Sequence, residues 1–279
     1  MRIRAPAKLN LCLYLGPRRD DGLHEIRSIV CPLTLADRIV ASDRDDVDEV
    51  ICPGVEGPNL AARALRALRA RGWSRPPVRI EIEKRIPVAA GLAGGSADAA
   101  AVLRMGGGEV EGLGEIAAEL GADVPSQLDP RFALVGGAGE AVEPLPPPRD
   151  FAVVLVPAAE GLATVEVYAE ADRLGLGRGA RELERIEREL RGVASKGASP
   201  LTYRELLVND LAEAALSLRP EIGEALAALE GIGAAAALVS GSGPTAFGLF
   251  EHVATAERAA RELPPRYASA IVAAPETAP

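Results

Sequence analysis

The chain has 279 residues, enough for one large domain or two of ordinary size, and its 48% hydrophobic and 25% charged residues give the balance of a globular protein. A formal net charge of −9 excludes a general nucleic-acid binder, which needs a surplus of Lys and Arg. No apolar run is long enough to span a bilayer, and Arg2, Arg4 and Lys8 interrupt any secretory core, so the sequence reads as a soluble, cytoplasmic protein without a membrane partner.

Residues 3–15 read as a strand, because Leu9, Leu11, Leu13 and Leu15 alternate with Lys8, Asn10, Cys12 and Tyr14 to give one greasy and one polar face. A turn at Arg18–Gly22 precedes a further strand region, 26–40, with an interruption. Asn59 can cap a helix that runs to Arg71 and stops at Gly72. Residues 78–83 alternate as a strand. A Gly/Ala-rich loop follows, then an Ala-rich helix over 98–105 and a short amphipathic helix over 116–120. Pro144-Leu145-Pro146-Pro147-Pro148 is the clearest linker, and it places a domain boundary between 1–148 and 149–279. Beyond it come a buried strand at 151–157, helices at 164–174 and 180–191, and a long helix over 209–230 broken near Pro220. A strand pair, 235–240 and 245–250, encloses Gly241-Ser242-Gly243-Pro244; a helix from Thr255 and a strand at 268–273 close the chain. Strands and helices mix in both halves without regular βαβ alternation, which makes the class α+β.

Cys12, Cys31 and Cys52 lie far apart with only two histidines in the chain, so they form neither a disulfide framework nor a zinc set and read as small buried hydrophobes. Only three of the 31 basic residues are Lys, which hints that Lys8 and Lys84 are kept for a compact ammonium.

The chemistry points to the loop Pro87-Val88-Ala89-Ala90-Gly91-Leu92-Ala93-Gly94-Gly95-Ser96-Ala97, which lies between a strand and a helix. Small residues let the backbone approach a ligand, and the amides and dipole of the following helix favour phosphate. The loop is not of Walker type, because Ser96-Ala97 stands where Lys-Ser/Thr is required. A dinucleotide fingerprint at Gly241-x-Gly243-x-x-Ala246 is rejected, because a strand rather than a helix follows it. Ser240 and Ser242 are no hydrolase nucleophiles, since no G-x-S-x-G is centred on either. Lys8, Asn10 and Asp123 remain. Asp123 can accept a hydroxyl proton while a neighbouring Lys8 keeps it ionised; the alternatives are a helix-capping Asp and a snorkelling Lys.

Three segments in order, Pro6–Asn10, Pro87–Ala101 and Leu238–Thr245, resemble the three motifs of the galactokinase, homoserine kinase, mevalonate kinase and phosphomevalonate kinase (GHMP) superfamily. Within it the chain is similar to the 4-diphosphocytidyl-2-C-methyl-D-erythritol kinases, through Asp21–His24, Lys84–Pro87, Gly94–Ala100, Gly121–Pro125 and Asn209–Leu211 as well. The resemblance covers nearly the whole chain. It implies a ribosomal-protein-S5-like N-terminal domain, a ferredoxin-like C-terminal domain and an active site between them. It also implies ATP as phosphoryl donor with Mg²⁺, a substrate carrying a cytidine diphosphate group, and a monomer or weak homodimer.

By motif position Lys8 and Asp123 would be the catalytic pair, Pro87 to Ala97 would hold the phosphates, and Ser96 would reach the metal through Mg-ATP. Asn10, Leu23, His24, Thr164 and Tyr168 would meet the substrate, and the third motif would brace the phosphate loop. Several positions depart from the family pattern: Ala93 and Ala97 replace a usual Gly and Ser, Ser126-Gln127 stand where aromatics are usual, and the connections at 44–59 and 106–115 are short. Leu23 stands where an aromatic is common, which implies a one-sided stack of cytosine on Tyr168. Homoserine or mevalonate kinases, or a non-catalytic nucleotide-binding protein of this fold, are the rival readings.

Overall fold

Strand β1 (Arg2–Asn10) is shorter than the leucine alternation suggests. In this computed structural model, which describes residues 1–55 and 57–276, the chain bends after Asn10 and resumes as β2 (Tyr14–Arg18). The reason lies across the molecule. Leu13 donates its amide to the Val208 carbonyl at 2.8 Å and accepts from Asp210 at 2.9 Å, so a distant segment replaces the sheet partner. The polar face of β1 is not wet either: Lys8 and Asn10 are buried.

The 26–40 region is one long strand, β3 (His24–Asp43), rather than an interrupted one. It changes partners along its length, pairing antiparallel with β2, then β6 (Ala133–Gly136), β1 and β5 (Val78–Glu83). A register shift between Pro6 and Lys8 absorbs the irregularity that proline brings to β1. β4 (Glu49–Ile51) pairs parallel with β5, and β7 (Ala141–Pro144) closes a hairpin with β6. β4, the β6–β7 hairpin and the short helix Val124–Leu128 were not read from the sequence.

Helices α1 (Leu60–Ala70), α2 (Gly94–Met105), α3 (Leu113–Leu120) and α4 (Val124–Leu128) cover one face of this sheet. Asn59 Oδ1 accepts from the Ala61 and Ala62 amides, the cap that the sequence suggested for α1. In α2 the run Ala99-Ala100-Ala101 is fully buried, because only small side chains let this helix lie close against α1 and β1. Each fully buried Leu or Ile around it, such as Leu68 and Ile80, contributes about 1.5–3 kcal/mol.

The second half is a four-stranded antiparallel sheet in the order β11 (Ile271–Ala273), β8 (Ala152–Val156), β10 (Ala246–Phe250), β9 (Ala237–Val239), the ferredoxin-like arrangement. Its helices are α5 (Thr164–Leu174), α6 (Ala180–Ala194), α7 (Ala212–Leu218), α8 (Glu221–Gly231) and α9 (Val253–Ala260). The expected long helix at 209–230 is split between α7 and α8 around Pro220, which cannot donate an amide. One hydrophobic core takes Leu9, Leu11 and Ile29 from the first sheet and Val153, Leu155 and Leu249 from the second. Among the described residues no helix is long and apolar enough to cross a membrane. The last three positions of the second half, 277–279, and position 56 in the short 44–59 connection lie outside the described residues.

Candidate active site

A cleft of about 380 Å³ opens where the two sheets meet, with Lys8, Asn10, Asp123, Thr164, Tyr168 and the glycine-rich loop on its walls. Lys8 Nζ lies 2.5 Å from Asp123 Oδ1; the Lys8 side chain is 6% exposed and that of Asp123 46%. Asp123 stands at the N-cap position of α4, yet its side chain makes no capping bond. The capping alternative fails, because the carboxylate turns to Lys8 instead. The Lys8 amide also donates to the Leu92 carbonyl at 3.0 Å, so the strand that carries the ammonium holds the phosphate loop as well.

The loop is wound tightly. Ala89, Gly91 and Ala93 have φ of +55°, +72° and +54°, so every second residue is left-handed. Such alternation turns successive amides toward one concavity, a known anion-binding arrangement. For an alanine this backbone costs about 1–2 kcal/mol, so two strained alanines are held by their surroundings. Helix α2 then starts at Gly94, four residues earlier than its alanine run suggests, and has neither a side-chain cap nor an acidic residue in its first turn. Its free amides and positive dipole end face the cleft through Gly94, Gly95 and Ser96. Ala97, expected among the phosphate contacts, is instead 1% exposed and packed in the core, because one helical step turns it inward.

The third motif braces this loop. Thr245 Oγ1 donates to the Ala90 carbonyl at 2.6 Å, and Ser240 Oγ donates to that of Gly91 at 3.2 Å. A Cβ on Gly91 would run into the Gly243 carbonyl, so the two backbones meet where no side chain fits. Asn209 completes the brace: its Nδ2 donates to the Val239 and Gly241 carbonyls at 2.7 and 2.8 Å, while its Oδ1 accepts from Leu211. Asn10 Nδ2 is committed to Ser28 Oγ at 2.7 Å, and its Oδ1 faces Gly241.

A buried charge cluster lies beneath the loop. Lys84 binds both Asp37 and Asp98, the latter at 2.8 Å, and Asp37 also accepts from the Arg85 and Ile86 amides. Burial disfavours the Lys84 ammonium, but the two carboxylates hold its pKa above the ordinary value. Asp98 is pushed upward, first by burial, with Lys84 opposing; its Oδ1 is sealed without a partner. Asp37 has three donors and Asp98 one, so the Asp98 carboxylate is the less compensated for its burial. Sequence reasoning singled out Lys84 but missed these partners, which are distant in sequence. At that end the cleft continues past Cys52, Val55, Pro58, Asn59 and Leu60. The thiols of Cys12 and Cys31 are buried and pushed up, Cys12 to about 12, as structural cysteines are.

Leu23 and His24 do not line the cleft. Leu23 is 53% exposed, and His24 lies behind Tyr168 with their ring centroids 5.5 Å apart. Tyr168 does reach the cleft, and burial followed by the Asp123 charge pushes its hydroxyl pKa up. Thr164 Oγ1 lies 3.0 Å from Ser242 Oγ, which ties α5 to the third motif. Among the described residues no cluster of three or more His, Cys, Asp or Glu side chains could cage a metal ion.

The fold and cleft have counterparts. Residues 59–137 match the GHMP kinase N-terminal domain and residues 201–269 the GHMP kinase C-terminal domain. A 4-diphosphocytidyl-2-C-methyl-D-erythritol kinase of Streptomyces coelicolor is 42% identical over 256 residues, covering 87% of this chain and 85% of that protein. The chain belongs to the 4-diphosphocytidyl-2-C-methyl-D-erythritol kinase family of GHMP kinases. A second such kinase, from Kineococcus radiotolerans, is 39% identical over 95% of this chain and 86% of its own. A crystal structure of a 4-(cytidine 5'-diphospho)-2C-methyl-D-erythritol kinase superposes over 100% of both chains with a TM-score of 0.79 at 36% identity. Homoserine kinase from Cytophaga hutchinsonii has the same fold at 18% identity, with a TM-score of 0.74 over 99% of this chain and 94% of its own.

Proposed function

We propose that the protein transfers the γ-phosphoryl group of ATP to the 2-hydroxyl of 4-diphosphocytidyl-2-C-methyl-D-erythritol, a step of non-mevalonate isoprenoid precursor synthesis. The observation that carries this reading is the Lys8–Asp123 pair, which shares one cleft with the open N-terminus of α2. The α2 amides and the left-handed loop bind the ATP phosphates. The Asp123 carboxylate, paired with Lys8, takes the proton of the 2-hydroxyl as its oxygen attacks the γ-phosphorus. The bond from that phosphorus to the β–γ bridging oxygen breaks, and ADP leaves with the electron pair. Lys8 is buried, so its charge acts at low dielectric on the transferring group, where such charges are most effective. Mg²⁺ would come with its nucleotide and neutralise phosphate charge, with Ser96 and the loop nearby; among the described residues no cluster of three or more His, Cys, Asp or Glu side chains could hold it without phosphate.

Residues 1–148 supply the ATP side, and residues 149–279 complete the substrate side through Thr164 and Tyr168. The base stacks on Tyr168, which lines the cleft, while Leu23 and His24 stand outside it. The test is direct: incubate the protein with Mg-ATP and the cytidine substrate, and look by mass spectrometry for a product one phosphoryl group heavier. ADP release with homoserine or mevalonate instead would reassign the acceptor. No turnover with any acceptor would leave a nucleotide-binding protein.

A further inference from the structure

Among the described residues Lys8 is the one partner of the Asp123 carboxylate, so the place of that carboxylate depends on the backbone beneath it. That backbone is a bend between helices. Gly121 ends α3, Ala122 follows, and Asp123 precedes α4 without a capping bond. The turn of the β6–β7 hairpin, Gly137-Ala138-Gly139-Glu140, lies against this bend. A Cβ on Gly139 would overlap the Ala122 carbonyl oxygen and lie 3.1 Å from the Ala122 Cβ, so the two segments meet backbone to backbone. Gly139 has a φ of +123°, which side chains rarely adopt. Ala138 and Gly139 share the cleft wall with Ala122 and Asp123.

One side chain closes the turn. Glu140 folds back over it: its Oε2 accepts from the Ala138 amide at 2.6 Å, and its Oε1 accepts from Arg19 Nη1 at 2.6 Å. Gly137 lies directly under that carboxylate, where a Cβ would run into Glu140 Oε1. The Gly137 carbonyl accepts from the Ile26 amide at 2.7 Å, which ties the turn to β3. Arg19, in the turn between β2 and β3, also pairs with Asp21 at 3.0 Å. The Arg19 and Glu140 side chains are 31% and 45% exposed, so solvent screens the pair and it does little for folding. Its consequence is geometric, because the turn it shapes is the floor under Asp123.

We propose that Glu140 is a positioning residue for phosphoryl transfer: by closing the β6–β7 turn it seats Gly139 on the Ala122 carbonyl and so holds the Asp123 carboxylate beside Lys8. The effect on turnover rests on the reading of Asp123 as general base; the seating of Asp123 does not.

Glu140→Ala should keep its melting temperature, and its ATP affinity should not change, since the turn lies outside the phosphate loop and α2. Its kcat should fall roughly 10- to 100-fold, the scale of a catalytic group displaced by about 1 Å. Glu140→Gln, whose amide oxygen still accepts from the Ala138 amide, should recover most of that loss. In an Asp123→Asn background Glu140→Ala should cost nothing further, because its effect passes through the carboxylate. A crystal structure of Glu140→Ala should show Asp123 moved out of hydrogen-bond reach of Lys8 Nζ. An undiminished kcat, an equal loss in the Asp123→Asn background, or an unmoved Lys8–Asp123 pair overturns the proposal. If Asp123→Asn alone turns over like the wild type, the reading of Asp123 as general base falls, while the crystal structure still judges the seat.

Discussion

Asp123 leaves the amides of α4 uncapped and turns to Lys8, so its loss should be felt in chemistry rather than in folding. Asp123→Asn should keep its melting temperature and ATP binding but lose roughly 10²–10⁴-fold in kcat, the range for removing a general base. Wild-type turnover in the folded variant would refute that role. At Tyr168 the expected loss is in binding. Base-on-aromatic stacking is worth about 1–3 kcal/mol, so Tyr168→Ala should raise KM for the cytidine substrate roughly 5- to 150-fold. Leu23→Tyr, at an exposed position free to accept a ring, should lower it. Steady-state kinetics on both variants decides whether the stack exists. That Lys8, Asp123 and Tyr168 share one cleft was legible only through the resemblance of their segments to family motifs, since by itself each residue reads as a solvated charge, a helix cap or a packed ring. The pairing of Asp172 with His24 was missed, since an Asp in a charged helix gives no signal until its partner, 148 residues away in sequence, is seen beside it.

The phosphate loop shows how one composition hides different reasons for glycine. Gly91 is left-handed and a Cβ there would meet the Gly243 carbonyl, whereas a Cβ on Gly95 would lie 3.6 Å from Leu60 Cδ1, an ordinary contact. Gly91→Ala should therefore lower both the melting temperature and ATP affinity. Gly95→Ala should melt no lower than wild type, because alanine is the better helix former by about 1 kcal/mol. A Gly91→Ala protein as stable as wild type would show that the loop and third motif are not in contact. At Gly94 a Cβ would press on Ile86 and on the Lys84 ammonium, so packing alone already requires a glycine there. The sequence marked all three as phosphate-loop glycines, but only the fold separates them. The charge cluster under the loop makes a further prediction. A carboxyl with a raised pKa is still protonated in the native chain when it is ionised in the unfolded one. The native chain then binds more protons, and stability falls as pH rises from the ordinary carboxylate value toward the raised one. Asp98→Asn removes that contribution and leaves Lys84 paired with Asp37. The stability of Asp98→Asn relative to wild type should improve between about pH 4 and about pH 8, measured by urea unfolding at each pH. A difference that is flat or of opposite sign would mean that Asp98 is ionised in the native chain.

At the scale of the molecule, the proline-rich segment that divides the sheets does not divide the core. Leu9 and Ile29 pack with Val153 and Leu249, and the Leu13 backbone bonds to Val208 and Asp210. The proline-rich segment was legible from composition; the shared core was not, because nothing in the sequence says that Leu9 and Leu11 pack on strands that lie more than 140 residues further along the chain. The catalytic arrangement depends on that union, since Thr245 and Ser240 of one half hold the loop carbonyls of the other. Thr245 is fully buried, and valine is close to it in shape, so Thr245→Val removes little but the hydroxyl. It leaves the Ala90 carbonyl without that donor, at a cost of about 1–3 kcal/mol for a buried acceptor. The expected outcome is a single calorimetric transition at a lower temperature, because halves that share one core unfold together. ATP affinity should fall as well, since part of the binding energy must now order the loop. Two separated transitions, or a variant that binds a non-hydrolysable ATP analogue as tightly as wild type, would show that the phosphate loop keeps its shape without the other half.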